Sequence, residues 1–143
     1  MYNNNGYGGL AYYTSETCGY VNNRWVETGC TTDYAQSDIK YAVDAWNAAK
    51  APAAIEARLI TYDDLTDNLG YEKKNQGTIN SSSSGATPSW LHDFNYYYWT
   101  MSPYDNSASV VRHVGFSGSL NFENVNDYHP VVRPVITIFK SSI

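Results

Sequence analysis

Between Asp33 and Lys50 the apolar residues recur three and four apart. Ile39, Val43, Trp46 and then Ala49 or Lys50 share one stripe, while Asp38, Lys40 and Asn47 fall elsewhere. That spacing predicts an amphipathic helix over 33–50, with Asp33 and Gln36 as a capping pair and Pro52 as its stop. A second helix is expected to start at Thr61. Asp64 completes its capping box, Leu65 and Leu69 face inward, and Gly70 stands at the C′ position. Elsewhere the apolar runs are short. Leu10 to Thr14 and Tyr20 to Glu27 read as strands split by a turn at Gly19, and Ala57 to Ile60 reads as another. In the last third, Tyr96 to Met101, Ser109 to Val114, Ser119 to Phe122 and Val131 to Phe139 are strand-like runs separated by Pro, Gly, Asn and Asp. The final run is apolar on both faces, with Val132, Ile136 and Ile138 on one and Val131, Val135 and Phe139 on the other. This predicts a buried central strand, in which Pro134 demands a bulge.

These elements imply an α+β fold: two helices packed on a twisted, mostly antiparallel sheet, with long polar loops on one side. Residues 1–9 read as a flexible Asn/Gly-rich segment and 10–143 as a single domain, without an internal repeat or linker. A leader or anchor preceding Met1 is left open. Residues 73–87 form a polar low-complexity loop. Thr87-Pro88-Ser89-Trp90-Leu91 reads as a capped single turn that drives Trp90 into a core shared with Trp99, Val135 and Ile136.

The 143 residues are 43% apolar, enough for a packed core, yet only 16% are charged. Net charge is −5 and no basic stripe occurs. Nucleic acid and anionic membrane surfaces are therefore not expected partners, because both demand clustered Lys and Arg. No apolar run reaches the roughly 18 residues of a membrane span. Tyrosine is over-used, with 14 in the chain; a rigid ring with one hydroxyl suits binding surfaces and half-buried strands alike. Cys18 and Cys30 are the only cysteines. One pair is too few for a zinc site, and a Cys18–Cys30 disulfide is preferred over free thiols, implying an oxidising compartment.

No motif calls for catalysis, a cofactor or a metal. Gly115-Phe116-Ser117-Gly118-Ser119 approaches G-x-S-x-G but lacks its last glycine and any following helix, so it reads as a turn. His92-Asp93 and Asp127-Tyr128-His129 lack helical i, i+4 spacing or a nearby third partner. Asp63, Asp64 and Asp67 suit a helix N-terminus. Arg58 and Arg133 each interrupt apolar strand residues. A guanidinium there must be paired, and a structural fork onto carbonyls or a carboxylate is expected ahead of a ligand-binding role.

Three segments carry a resemblance: Ala57-Arg58-Leu59-Ile60-Thr61-Tyr62-Asp63-Asp64-Leu65, Tyr98-Trp99-Thr100-Met101-Ser102-Pro103-Tyr104, and Val131-Val132-Arg133-Pro134-Val135-Ile136. Together they resemble a family of surface-associated domains of Firmicutes, often attached to prepilin-like or other exported proteins. Their order also resembles the C-type lectin-like fold of formylglycine-generating-enzyme relatives. The likeness covers residues 57–139. It implies a C-type lectin-like fold at the cell surface or outside the cell, with any anchor outside these residues. The Glu-Pro-Asn, Gln-Pro-Asp and Trp-Asn-Asp triplets of calcium-dependent lectins do not occur, and both cysteines lie early. Neither calcium-dependent sugar binding nor formylglycine chemistry is carried over. A looser resemblance is to the variable proteins of diversity-generating retroelements, whose binding residues are drawn from Asn, Tyr, Ser, Asp and His. Asn95 to Tyr98, Tyr104 to Ser107, Arg112-His113, Phe116-Ser117, Asn121, Asn124, Asn126 and Tyr128-His129 show that palette between apolar positions.

The expected function is non-enzymatic recognition of a protein or glycan. Tyr96, Tyr98, Tyr104, Asn106, His113, Phe116, Asn121, Asn124 and Tyr128 are the candidate contacts. Tyr96, Tyr98, Tyr104, His113, Asn121 and Tyr128 are expected on one solvent-facing surface, with Arg58, Arg133, Trp90 and Trp99 as its support. The alternative is a structural head of a pilin-like or cell-surface assembly, in which exposed tyrosines are subunit contacts and the partner is the chain itself.

Overall fold

A computed structural model describes residues 9–71, 89–91, 96–115 and 118–142. The polar loop at 73–87, the stretch 92–95, the Phe116-Ser117 turn and all of the expected flexible start at 1–9 except Gly9, which is buried, lie outside the described residues. The fold is mixed α+β, and every strand pair is antiparallel among the described residues.

The segment ahead of the first hairpin is held by the chain that follows rather than by a strand ladder. Leu10 to Thr14 is not a strand: Leu10 N donates to Pro130 O and Tyr13 N to Val125 O. The run read as one strand from Tyr20 to Glu27 is a hairpin of β1 (Gly19–Val21) and β2 (Arg24–Val26). Asn22 and Asn23 both have positive φ, 51° and 62°. That is the two-residue type I′ turn that asparagine tolerates and the strand twist favours. The Cys18–Cys30 disulfide closes this hairpin at its base.

The predicted helix over 33–50 divides in two. Asp33 caps a 3-10 turn, Tyr34–Gln36, and its carboxylate also accepts from Gln36 Nε2. Ser37 then caps α1 (Asp38–Lys50), accepting from Lys40 N at 3.0 Å. Only Ile39 and Val43 of the apolar stripe are buried; Trp46 is exposed. After β3 (Glu56–Arg58), Thr61 and Asp64 form the expected reciprocal capping box, Thr61 N to Asp64 Oδ2 at 2.9 Å and Asp64 N to Thr61 Oγ1 at 3.0 Å. The helix it opens is short and π-wound over Asp64–Asn68, with Leu65 inward.

β4 (Tyr98–Pro103), β5 (Val110–Val114) and β6 (Leu120–Asn124) form the largest sheet, with β5 central. Consecutive strand residues point to opposite faces, and this sheet buries both. The row Tyr98–Val114–Leu120 joins Ile60, Leu65, Tyr71 and Leu91. On the other face Trp99, Val111 and Val125 join Leu10, Tyr12, Cys18, Ile39, Val43 and Leu59. Leu59 and Ile60, adjacent in the chain, serve different clusters.

The final run departs from expectation. Only β7 (Val135–Thr137) is a strand, paired with β3 in a separate two-stranded ribbon. Ahead of it, a lone parallel bridge joins Val131 to Tyr98. Pro134 has no N–H to offer a ladder, so pairing starts only beyond it. Val135 is half-buried and Ile136 is 45% exposed, so neither anchors a central strand. Trp90, expected in the core, is 58% exposed. Its neighbour Leu91 takes the buried place, since one turn of 3-10 helix directs adjacent side chains differently.

Candidate functional site

Cross-strand register decides which candidate residues meet. In β5, Val110, Arg112 and Val114 share a face with Asn124, Phe122 and Leu120 of β6. His113 points the other way, opposite Trp99 and Asn121. The chain leaves β4 through Tyr104-Asp105-Asn106-Ser107, closed by Ser107 N to Tyr104 O at 2.8 Å. Asp105 and Asn106 take positive φ, 50° and 56°. Their short polar side chains suit that conformation, which accounts for both identities. This turn delivers Tyr104 onto Phe122, rings stacked at 4.2 Å.

Arg112 lies under this pair. Its guanidinium sits 4.9 Å from the centre of the Tyr104 ring and 4.5 Å from that of Tyr62. Tyr62 is brought there from the capped turn after β3, its N–H donating to Ser102 Oγ on β4 at 2.8 Å. Arg112 is 5% exposed. It forms no ion pair with any described carboxylate, and its Nη1 is buried without a hydrogen-bond acceptor. A cation–π contact is worth about 0.5–2 kcal/mol. An unpaired buried charge costs several kcal/mol even after relaxation. The two rings therefore offset only part of the cost of placing Arg112 here.

Arg58 and Arg133, by contrast, are satisfied. Arg58 Nη1 donates to Asp64 Oδ2 at 2.6 Å and to Leu59 O at 2.8 Å, and Nη2 donates to Asp64 Oδ1. The hydrogen bond to Asp64 holds the Arg58 guanidinium above its ordinary range. Partial burial pushes the Asp64 carboxyl up, but hydrogen bonds from Arg58 and Thr61 outweigh it and hold the group below the usual range. Arg133 forks onto two carbonyls, Nη2 to Trp90 O at 2.5 Å and Nη1 to Leu91 O at 3.2 Å, and lies over the Tyr98 ring.

The single surface expected from the sequence does not form. Tyr98 is 2% exposed, with its hydroxyl donating to Leu91 O at 2.6 Å; burial drives its pKa upward. It is a core residue, because its parity in β4 points it into the cluster around Leu65 and Leu91. His113 is 7% exposed with Nδ1 unpartnered, and burial lowers its pKa to about 4. Its ring packs on Tyr97 at 4.8 Å. Tyr104 and Asn124 lie on one face, and His113 and Asn121 on the other. Asn121 turns back to accept from Phe122 N. Tyr128 stacks on His129, whose ring nitrogen Nδ1 meets Asp127 Oδ1 at 2.7 Å. Tyr96 and Asn106 are exposed, and Phe116 lies outside the described residues. Trp99 is fully buried, its Nε1 donating to Leu10 O at 2.7 Å.

Two residues of the Arg112 cluster, Tyr62 and Phe122, were not among the candidates, and Arg112 itself was grouped with surface polar residues. The cue that singled out Arg58 and Arg133, an arginine among apolar strand residues, applies equally to Val110-Val111-Arg112-His113-Val114. Among the described residues no group of three or more His, Cys, Asp and Glu is placed to hold a metal ion. No helix among them is long and apolar enough to cross a membrane. Comparison with protein-family models, with curated proteins and with solved structures gives no match to this chain.

Proposed function

We propose that this chain is a non-catalytic recognition domain of C-type lectin-like fold, displayed outside the cell, that binds its partner through the patch of Tyr62, Tyr104, Phe122 and Arg112. The observation that carries this reading is the buried Arg112, which lacks an ion-pair partner among the described residues and is overlain by half-exposed aromatic rings. Aromatic residues and arginine are the side chains that concentrate binding energy. The disulfide fits an oxidising compartment. The fold assignment is supported by the order of the Arg58, Trp99-to-Pro103 and Arg133 segments. The test is adhesion of fluorescently labelled protein to whole cells, comparing the parent with Tyr104→Ala/Phe122→Ala. Loss of adhesion is expected in a variant that still unfolds cooperatively, its melting temperature lowered only by the lost stack and cation–π contact. Equal adhesion by the double variant would remove the patch from the function.

A second reading has its own observation. Ile55, Ile136 and Ile138 are exposed at the β3–β7 ribbon, and Phe139 is exposed just beyond it. Such an apolar strip suits a subunit contact in a surface assembly. Concentration-dependent self-association, abolished by Ile136→Lys/Phe139→Lys, is its expected signature.

A further inference from the structure

We infer that the Arg112 site takes the carboxylate of an acidic sugar, with the sugar ring lying against Tyr104 and Phe122. The inference rests on the reading that this patch is the recognition surface, and adds the chemistry of what it recognises.

Three features select that class. First, Nη1 of Arg112 is a charged donor, almost wholly buried, with no acceptor. A carboxylate supplies both the missing acceptor and the missing negative charge, in the planar geometry that a guanidinium matches. Second, the setting is acidic: Asp63 and Asp105 are the sequence neighbours of Tyr62 and Tyr104, and the chain carries a net charge of −5. A polyanion such as nucleic acid or an acidic peptide run would meet more repulsion there than a monocarboxylate would. Third, Arg112 lies on the central strand of the sheet, away from its edges. A peptide gains most of its backbone affinity by adding to a free strand edge, and this position offers none. A compact ring with its own C–H face instead matches the exposed Phe122 and half-buried Tyr104 stack.

The experiment uses the intact, oxidised chain and NMR titration of the Arg112 Nε–Hε signal and the Tyr62, Tyr104 and Phe122 ring signals. The probes are glucuronic acid, its methyl ester, glucose, inorganic phosphate and a short glutamate-containing peptide. Glucuronic acid is expected to shift these signals saturably, with the ester and glucose at least tenfold weaker. Arg112→Lys, which keeps the charge but not the planar fork, should weaken glucuronic acid about tenfold while leaving the ester unchanged. The ester comparison needs no variant, so misfolding of Arg112→Lys does not blunt the test. Equal binding of acid, ester and glucose at these rings would overturn the carboxylate while leaving the recognition patch standing. Tighter binding of phosphate or of the peptide would overturn the sugar. Signals unmoved by every probe would overturn the inference, and the adhesion assay would then decide separately whether the patch is functional.

Discussion

Arg133 ties the 3-10 turn at Ser89–Leu91 to the segment leading into β7, and replacing it with alanine removes three contacts at once. Hydrogen bonds from a charged donor contribute about 1.5–3 kcal/mol each when buried. The contact with Trp90 O is exposed and that with Leu91 O only partly buried, so each is taken near or below the bottom of that range. The contact over the Tyr98 ring adds roughly 0.5–1 kcal/mol. Arg133→Ala should therefore lower stability by about 2–3 kcal/mol, less than the 3–5 kcal/mol or so expected on breaking a fully buried pair. For a chain of this length that is a fall in Tm on the order of 6–12 °C. Arg133→Lys keeps the charge but reaches one carbonyl rather than two, and should recover about half. Thermal unfolding followed by circular dichroism, with the disulfide intact, measures all three proteins. A Tm within about 2 °C of the parent for Arg133→Ala refutes the reasoning. Full recovery by lysine would show that charge alone matters and the fork does not.

Removing the disulfide with Cys18→Ser/Cys30→Ser opens a loop spanning a sequence separation of 12. Chain entropy then predicts a loss of about 3 kcal/mol; a urea midpoint matching the oxidised parent would contradict it. His113 supplies an acid limb with a defined sign. Its folded pKa is about 4, against roughly 6.5 in an unfolded chain, so the unfolded state takes up the proton first. Stability should be undiminished above about pH 6.5, fall by roughly 3 kcal/mol as pH drops toward 4, and lose nothing more from this group below that. His113→Phe should flatten this limb, and a limb of unchanged depth in the variant refutes the assignment.

What could be read from the sequence followed from local rules. The α1 register, the Thr61–Asp64 capping box and most strand positions depend on neighbours within a few residues, and the Cys18–Cys30 pairing follows from there being two cysteines in the chain. The errors have a common physical origin. Alternation along a strand says that two sets of residues face opposite ways, but not which set faces inward, and here both faces of the β4–β5–β6 sheet are buried in part. Tyr98 and His113 could not be separated from Tyr104 on pattern alone. The Val131 to Phe139 run looked like a central strand because it is apolar on both sides. Pro134 limits its pairing to three residues, and its outer side chains stay exposed. Trp90 shows the reverse: a large apolar side chain in a 3-10 turn whose backbone carbonyl, not its ring, makes the tertiary contact.

The surplus of tyrosine is best understood as two populations with different physics. Tyr12, Tyr71 and Tyr98 are buried, and each hydroxyl donates to a backbone carbonyl: Thr32 O, Gly118 O and Leu91 O respectively. Burial raises the pKa of all three, that of Tyr71 to about 12. A phenylalanine at Tyr12 or Tyr71 would fill the same space and take the side-chain donor from Thr32 O or Gly118 O, whereas at Tyr98 it would leave Leu91 O with Arg133 Nη1 alone. In a chain with few charges, these hydroxyls secure loops that ion pairs hold in other proteins. Tyr62 and Tyr104 are instead half-exposed and present ring faces to a cation. The same residue type thus meets two needs through different parts of its structure, the hydroxyl in the core and the π face at Arg112. Composition alone counts both together. The register of β5 turns Arg112 toward Tyr104 and His113 away from it, yet Tyr98 lies on the same face as Arg112, opposite Val114, so depth of burial along that face, not parity, separates this core tyrosine from those around the cation.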